Sequence, residues 1–197
     1  MTLFRIFPVI AIAALFTACG GGSDAGASGD AGKTHASIDG NDVLNEFRDC
    51  TENNSEPNAC KDLTAKAICG HCGISDFVKT DQPREYVSYE EISGIMLQLS
   101  AWRALGDGDD QSVLDKAQAL ANKGGCVVAI NTIEGKSNIA WILPGEMEKS
   151  TSWKLNCPNS ATFIPHSAKW SYVGKTLNYA WKSSAGVVLY ARKTTAE

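Results

Sequence analysis

The chain has no run of about twenty apolar residues, so no segment reads as a transmembrane helix. Its longest apolar stretch, Ile6 to Phe16, is too short to span a bilayer. It has no basic surplus: 18 Lys and Arg stand against 22 Asp and Glu, a formal net charge of −4, with no basic cluster. That balance makes nucleic acid and anionic lipid surfaces poor partners. Histidine is scarce, with three in 197 residues. No internal repeat and no second hydrophobic span are found. No cofactor and no metal ion are expected. The acidic string Gly106-Asp107-Gly108-Asp109-Asp110 departs from the EF-hand calcium pattern and reads as a solvated turn.

The amino-terminal end carries an address. Arg5 and the free amino terminus form a short positive region ahead of the apolar stretch. Phe16-Thr17-Ala18-Cys19 follows, and then Gly20-Gly21-Gly22. This resembles the lipobox of bacterial lipoproteins, although Phe16 is an unusual residue at its position. The resemblance implies cleavage before Cys19, a diacylglyceryl thioether on Cys19 and an acyl chain on the new amino terminus. More than one hydrophobic chain is what stable attachment needs. Gly20, where Asp would signal retention, implies the outer membrane facing the periplasm. The competing reading is an ordinary secretory signal that happens to contain a cysteine. Residues 1–18 are thus read as a signal peptide. Residues 19–40 lack any large apolar side chain before Ile38. They read as a tether with an r.m.s. reach of about 25 Å. Residues 41–197 remain as one domain, long enough for a single core.

Cysteine usage agrees with export. Seven cysteines less Cys19 leave Cys50, Cys60, Cys69, Cys72, Cys126 and Cys157, an even number suited to disulfides. Cys50 and Cys60 flank a polar loop and can close it. Cys69 and Cys72 lie one helical turn apart, close enough for a strained bridge. Cys126 and Cys157 would tie a strand to a later loop. Six cysteines leave about fifteen pairings open.

Helical signals come first along the chain. Asn41 or Asp42 can cap a helix carrying Val43, Leu44 and Phe47. Asp62 opens a second helix running towards Val78. Ser88 with Glu91 forms a capping box. It starts a helix with apolar positions Ile92, Ile95, Met96, Leu99 and Trp102, broken by the Gly106–Asp110 string. A fourth helix runs from about Gln111 to Asn122 and stops at Gly124. The texture then turns to strands: Cys126–Ile130, its antiparallel partner Asn138–Leu143, short candidates at 153–155 and 161–163, and a closing strand over Gly186–Ala191. Helices followed by antiparallel strands predict an α+β fold with N-terminal helices packed on a sheet.

Three strings resemble the papain-like cell-wall amidases and peptidases of the CHAP and NlpC class. Ala117 to Ala129, with its Ala-Asn-Lys-Gly turn, is similar to a helix feeding the first core strand. Ser137-Asn138-Ile139-Ala140-Trp141-Ile142-Leu143-Pro144-Gly145 is similar to the strand Gly-His-Val-Ala-x-Val-x-Pro-Gly. Ile74-Ser75-Asp76-Phe77-Val78 is similar to Cys-Ser-x-Phe-Val on the nucleophile helix. The resemblance implies a papain-like fold with a helix-borne Cys, a strand-borne His base and a further polar residue orienting the imidazole. Here Ile74 stands at the nucleophile position and Asn138 at the base position, so both catalytic groups are substituted. This implies a domain that has lost hydrolysis and acts by binding peptidoglycan peptide or an envelope protein, an inhibitor or immunity role included.

Two other readings stay open. Cys72 is an alternative nucleophile for an active cysteine amidase, with loop residue His166 as its base; otherwise Cys72 is half of a disulfide and His166 a solvated loop residue. His71 neighbours Cys72 in sequence but faces another direction on a helix. His35 lies in the tether. Cys69-Gly70-His71-Cys72 is also the string of thiol-disulfide oxidoreductases, although the stretch before it reads as helix where that fold needs an apolar strand. Asn138 is a candidate hydrogen-bonding group for a peptide ligand. Among the late aromatics Trp141, Trp153, Trp170, Tyr172, Tyr179 and Trp181, most are expected in the core and one or two along a groove.

Overall fold

The computed structural model describes residues 39–54, 56, 59–131, 138–165 and 168–193. Cys19, the signal peptide, the tether with His35, and His166 lie outside the described residues.

Helix α1 spans Gly40–Asn53. Its cap is Asp39, whose carboxylate accepts the Asn41 N–H at 2.8 Å, two or three positions before the expected cap. Val43, Leu44 and Phe47 form its buried stripe. The Cys50–Cys60 disulfide closes the loop that follows. Helix α2, Leu63–Cys72, stops six residues short of the expected Val78. Gly73 is the reason: it sits in the left-handed region at φ 63°, where a side chain is strained. Ile74 to Val78 is consequently a turn and not a continuation of the helix, and Val78 bridges to Tyr86. Helix α3, Tyr89–Gln98, starts on the capping box read in the sequence.

The expected extension of α3 beyond Leu99 is a strand instead. β1 is Trp102–Asp107 and pairs antiparallel with a partner some ninety positions later. Helical periodicity continues to Trp102 by coincidence. The backbone there is claimed by long-range pairing that local pattern does not encode. Asp110 accepts the Ser112 N–H at 2.8 Å and so caps α4, Gln111–Ala121. The acidic string is a strand end followed by a helix cap.

The remaining strands are β2 (Val127–Asn131), β3 (Asn138–Ile142), β4 (Glu148–Lys149), β5 (Asn156–Cys157), β6 (Asn159–Thr162), β7 (Tyr172–Thr176) and β8 (Val187–Arg192). The main sheet is antiparallel throughout, in the order β1-β8-β2-β3-β6-β7, with β4 and β5 paired apart. The closing strand therefore inserts between β1 and β2. The candidate strand at 153–155 is a turn; it buries Trp153, whose indole N–H donates to the Trp181 carbonyl at 3.0 Å. The fold is α+β, with helices packed on an antiparallel sheet.

Side chains alternate between two cores. Val128, Ile130, Ile139 and Trp141 face α1, α2 and α3, while Val127, Ala129, Ala140 and Ile142 face α4. Covering both faces explains why β2 and β3 read as nearly continuous apolar runs. On the three-helix side Phe47 stacks on Phe163 at 5.1 Å, and Trp141 meets Phe163 edge-on at the same distance. Trp141 is among the largest fully buried side chains. Trp141→Ala is expected to cost about 3–5 kcal/mol, measured as a lower urea midpoint. A midpoint unchanged from wild type would show that this cluster is not the core.

Candidate functional site

The sequence-predicted positions fall at opposite ends of β2. At its start, a disulfide joins Cys72, the last residue of α2, to Cys126, with S–S 2.05 Å and Cα–Cα 5.2 Å. Ile74 lies beside it and lines a cavity of about 180 Å³ with Gly73, Gly124, Gly125 and Lys193. Asn138 instead opens β3 and pairs with Asn131 at the far end of β2. Five residues of strand separate Cys126 from Asn131, about 17 Å. Ile74 and Asn138 therefore do not face one another as nucleophile and base positions must. Ile74 also follows a helix C-terminus, so its string does not sit on a nucleophile helix.

The group that α3 brings towards Asn138 is Tyr89. Its hydroxyl accepts the Ile139 N–H at 2.8 Å, and Thr162 Oγ1 donates to the Ile139 carbonyl at 2.7 Å. The reason lies in the sheet. β6 pairs with β3 only at Trp141 and Ile142, so the first half of β3 lacks a strand neighbour on that side. Two side chains satisfy the backbone that a strand would otherwise hold. Burial pushes the Tyr89 phenol above its ordinary pKa, against the opposing pull of the Ile139 N–H. Tyr89 is thus a neutral, structural hydroxyl at neutral pH.

Every cysteine among the described residues is occupied or hidden. Cys50 and Cys60 are paired, as their spacing suggested. The candidate bridges Cys69–Cys72 and Cys126–Cys157 are not formed, because Cys72 takes Cys126. Cys69 and Cys157 are buried free thiols. Desolvation raises the Cys69 thiol to about 11, partly offset by a hydrogen bond with the Phe77 backbone. Desolvation likewise raises Cys157. A nucleophilic or exchanging thiol needs the opposite environment, exposed and electropositive. Cys72 is accordingly not a free nucleophile, and Cys69-Gly70-His71-Cys72 holds no vicinal dithiol. Burial also keeps His71 below its usual pKa, with a hydrogen bond to the Ile142 backbone acting the other way. Among the described residues no group of three or more His, Cys, Asp or Glu is placed to hold a metal ion.

Beside the disulfide lies a network that sequence reading passed over. Asp76 accepts from Arg192 Nε at 2.8 Å, Arg192 Nη2 at 2.9 Å and Trp102 Nε1 at 2.9 Å. The Asp76 side chain is only 8% exposed. The hydrogen bond to Asp76 pushes the Arg192 guanidinium further up. Asp76 stands inside the string quoted for the resemblance, but its partner lies 116 positions away, beyond any local signal.

A cleft of about 450 Å³ opens at the first turn of α3. It is lined by charged groups in pairs. Lys61 meets Glu90 at 2.9 Å and Lys79 meets Glu85 at 3.0 Å, while Glu91 accepts from the Ser88 hydroxyl and backbone N–H. Those bonds from Ser88 hold the Glu91 carboxyl below its ordinary range. Such a lining suits a ligand carrying both ammonium and carboxylate groups. Comparison with models of protein families and with curated proteins gives no match.

Thiol titration of the mature protein checks this arrangement. Cys69 and Cys157 should resist labelling when native and react on denaturation. The other four should react only after reduction as well. Rapid native labelling of Cys72 would show that the Cys72–Cys126 bond is absent.

Proposed function

We propose that this is a lipid-anchored protein of the bacterial cell envelope whose domain binds and does not hydrolyse. Its ligand is peptidoglycan stem peptide or an envelope protein bearing a similar zwitterionic segment. The observation that carries the reading is the state of its thiols: Cys72 is bonded to Cys126, and Cys69 and Cys157 are buried with raised pKa values. Ile74 and Asn138, the positions at which the resemblance would put a thiol and a histidine, carry neither group, and the Tyr89 hydroxyl beside Asn138 is held by the Ile139 N–H. The α+β architecture and the three strings similar to CHAP and NlpC proteins support a cell-wall setting. The paired charges of the α3 cleft support a peptide ligand. A role as inhibitor or immunity protein against an amidase fits the same site and rests on that resemblance alone.

Purified mature protein incubated with sacculi is expected to release no peptide, and to bind soluble stem peptide by calorimetry. Lys61→Ala and Lys79→Ala should each weaken binding by about tenfold, the loss of one charge-assisted hydrogen bond apiece. Ile74→Cys with Asn138→His should remain inactive, because the two positions sit at opposite ends of β2. Robust hydrolysis by the wild type, abolished by Cys72→Ala, would overturn the reading in favour of a working cysteine amidase.

A further inference from the structure

We propose that the β7 edge of the sheet faces the membrane and seats Trp170 and Tyr179 in the headgroup layer of zwitterionic phospholipid. This deepens the reading above and rests on the lipid anchor at Cys19.

Trp170 and Tyr179 are 64% and 63% exposed, the two most exposed large hydrophobic side chains among the described residues. Both sit at β7. Trp170 ends the short 3-10 turn Ala168–Trp170 that leads into the strand, and Tyr179 ends the turn Leu177–Tyr179 that leaves it. Tyr179 folds back on buried Tyr172, with ring centroids 6.2 Å apart. Each exposed ring carries a lysine. Lys169 Nζ lies 5.5 Å from the Trp170 centroid and Lys175 Nζ 5.3 Å from that of Tyr179.

The chain enters the fold at this same edge. Helix α1 packs against β7 and against the turn at 168–170. A Cβ on Gly40 would lie only 3.2 Å from Val173 Cγ1. Nineteen residues separate Cys19 from Asp39, and a Gly/Ser-type linker of that length spans about 24 Å r.m.s.. An anchor on Cys19 would thus act through the start of α1, at the edge that bears the exposed aromatics.

The chemistry selects the occupant. Tryptophan and tyrosine favour the headgroup level, where an apolar ring and a polar tip are both satisfied. Lysines beside them can lay their stems along the ring and extend their ammonium groups to lipid phosphates. Asp39 and Asp42 stand at the start of α1, so the ionised groups named at this edge balance. A strongly anionic surface is not what they fit, in keeping with the net charge of −4. Strand addition by a protein is discouraged by the register shift at Gly174, which has φ 75°, and by Lys175 on the edge. Two rings bind weakly from solution, but a tether supplies an effective concentration on the order of millimolar.

The test uses full-length lipidated protein in phosphatidylethanolamine/phosphatidylcholine vesicles. Flotation comes first. Brominated acyl chains are then used to quench tryptophan emission. Wild type should float and show quenching that Trp170→Phe largely removes, since Trp102, Trp141, Trp153 and Trp181 are buried. Lys169→Ser with Lys175→Ser should reduce the same component. Failure of the wild type to float, matched by Cys19→Ala, would overturn the anchor and the docking with it. Flotation with equal quenching in wild type and Trp170→Phe would leave the anchor standing and overturn the docking alone. Sacculi that shield Trp170 from N-bromosuccinimide where vesicles do not would assign the face to glycan and overturn the proposal.

Discussion

A carboxylate removed from water must find its hydrogen bonds inside the protein, and Asp76 finds three, from Arg192 and from Trp102. The bidentate geometry with Arg192 is the arrangement in which a buried ion pair recovers its desolvation cost. Through it the turn after α2 is fastened to the last residue of β8 and the first of β1. Arg192 and Trp102 are themselves cross-strand partners. Close by, Cys72 is bonded to Cys126 and Cys69 is buried as a free thiol. Removing Arg192 would leave the Asp76 carboxylate buried without its counter-charge, at about 3–5 kcal/mol, whereas the partly exposed Arg192 could turn to water if Asp76 were removed.

That constraint bears directly on chemistry. A thiol in this corner of the fold is either oxidised to a partner or raised in pKa by burial and by the nearby Asp76 carboxylate. Neither state supplies a nucleophile. At the other end of β2 the polar groups serve the backbone, since Tyr89 and Thr162 complete the hydrogen bonds of Ile139 that β6 does not reach. Away from both ends of β2, the ion-paired cleft lies at the start of α3 and the exposed aromatics at the β7 edge.

The two cores explain how such a short sheet is held. Residues of β2 and β3 alternate between a three-helix layer and the layer formed by α4 with Trp153, Leu177 and Trp181. β8 sits between β1 and β2, so the last strand of the chain completes pairing begun ninety residues earlier. Its backbone is hydrogen-bonded on both sides, which is why the C-terminal strand is interior and not an edge.

What the sequence by itself determined is local. The Ser88–Glu91 box, the stop at Gly124, the β2–β3 pair and the Cys50–Cys60 loop all depend on groups within about ten residues of one another, where pattern and capping chemistry act directly. The α+β class follows from the order of those pieces. The stop at Gly73 was equally local, yet the apolar residues Ile74, Phe77 and Val78 beyond it masked it. The remainder was decided by tertiary structure. β1 looked helical because Trp102 continues the α3 stripe, and only β8 makes it a strand. β7 carries Tyr172, Val173 and Thr176, but it is short and interrupted by Gly174 and Lys175, so it stands out as a strand only through its pairing with β6. Cys72 has a neighbour three residues away but bonds one 54 residues on, and Asp76 meets its arginine 116 residues on. Spacing along a chain fixes which groups can meet within a turn; which distant groups do meet is set by packing both faces of the sheet at once.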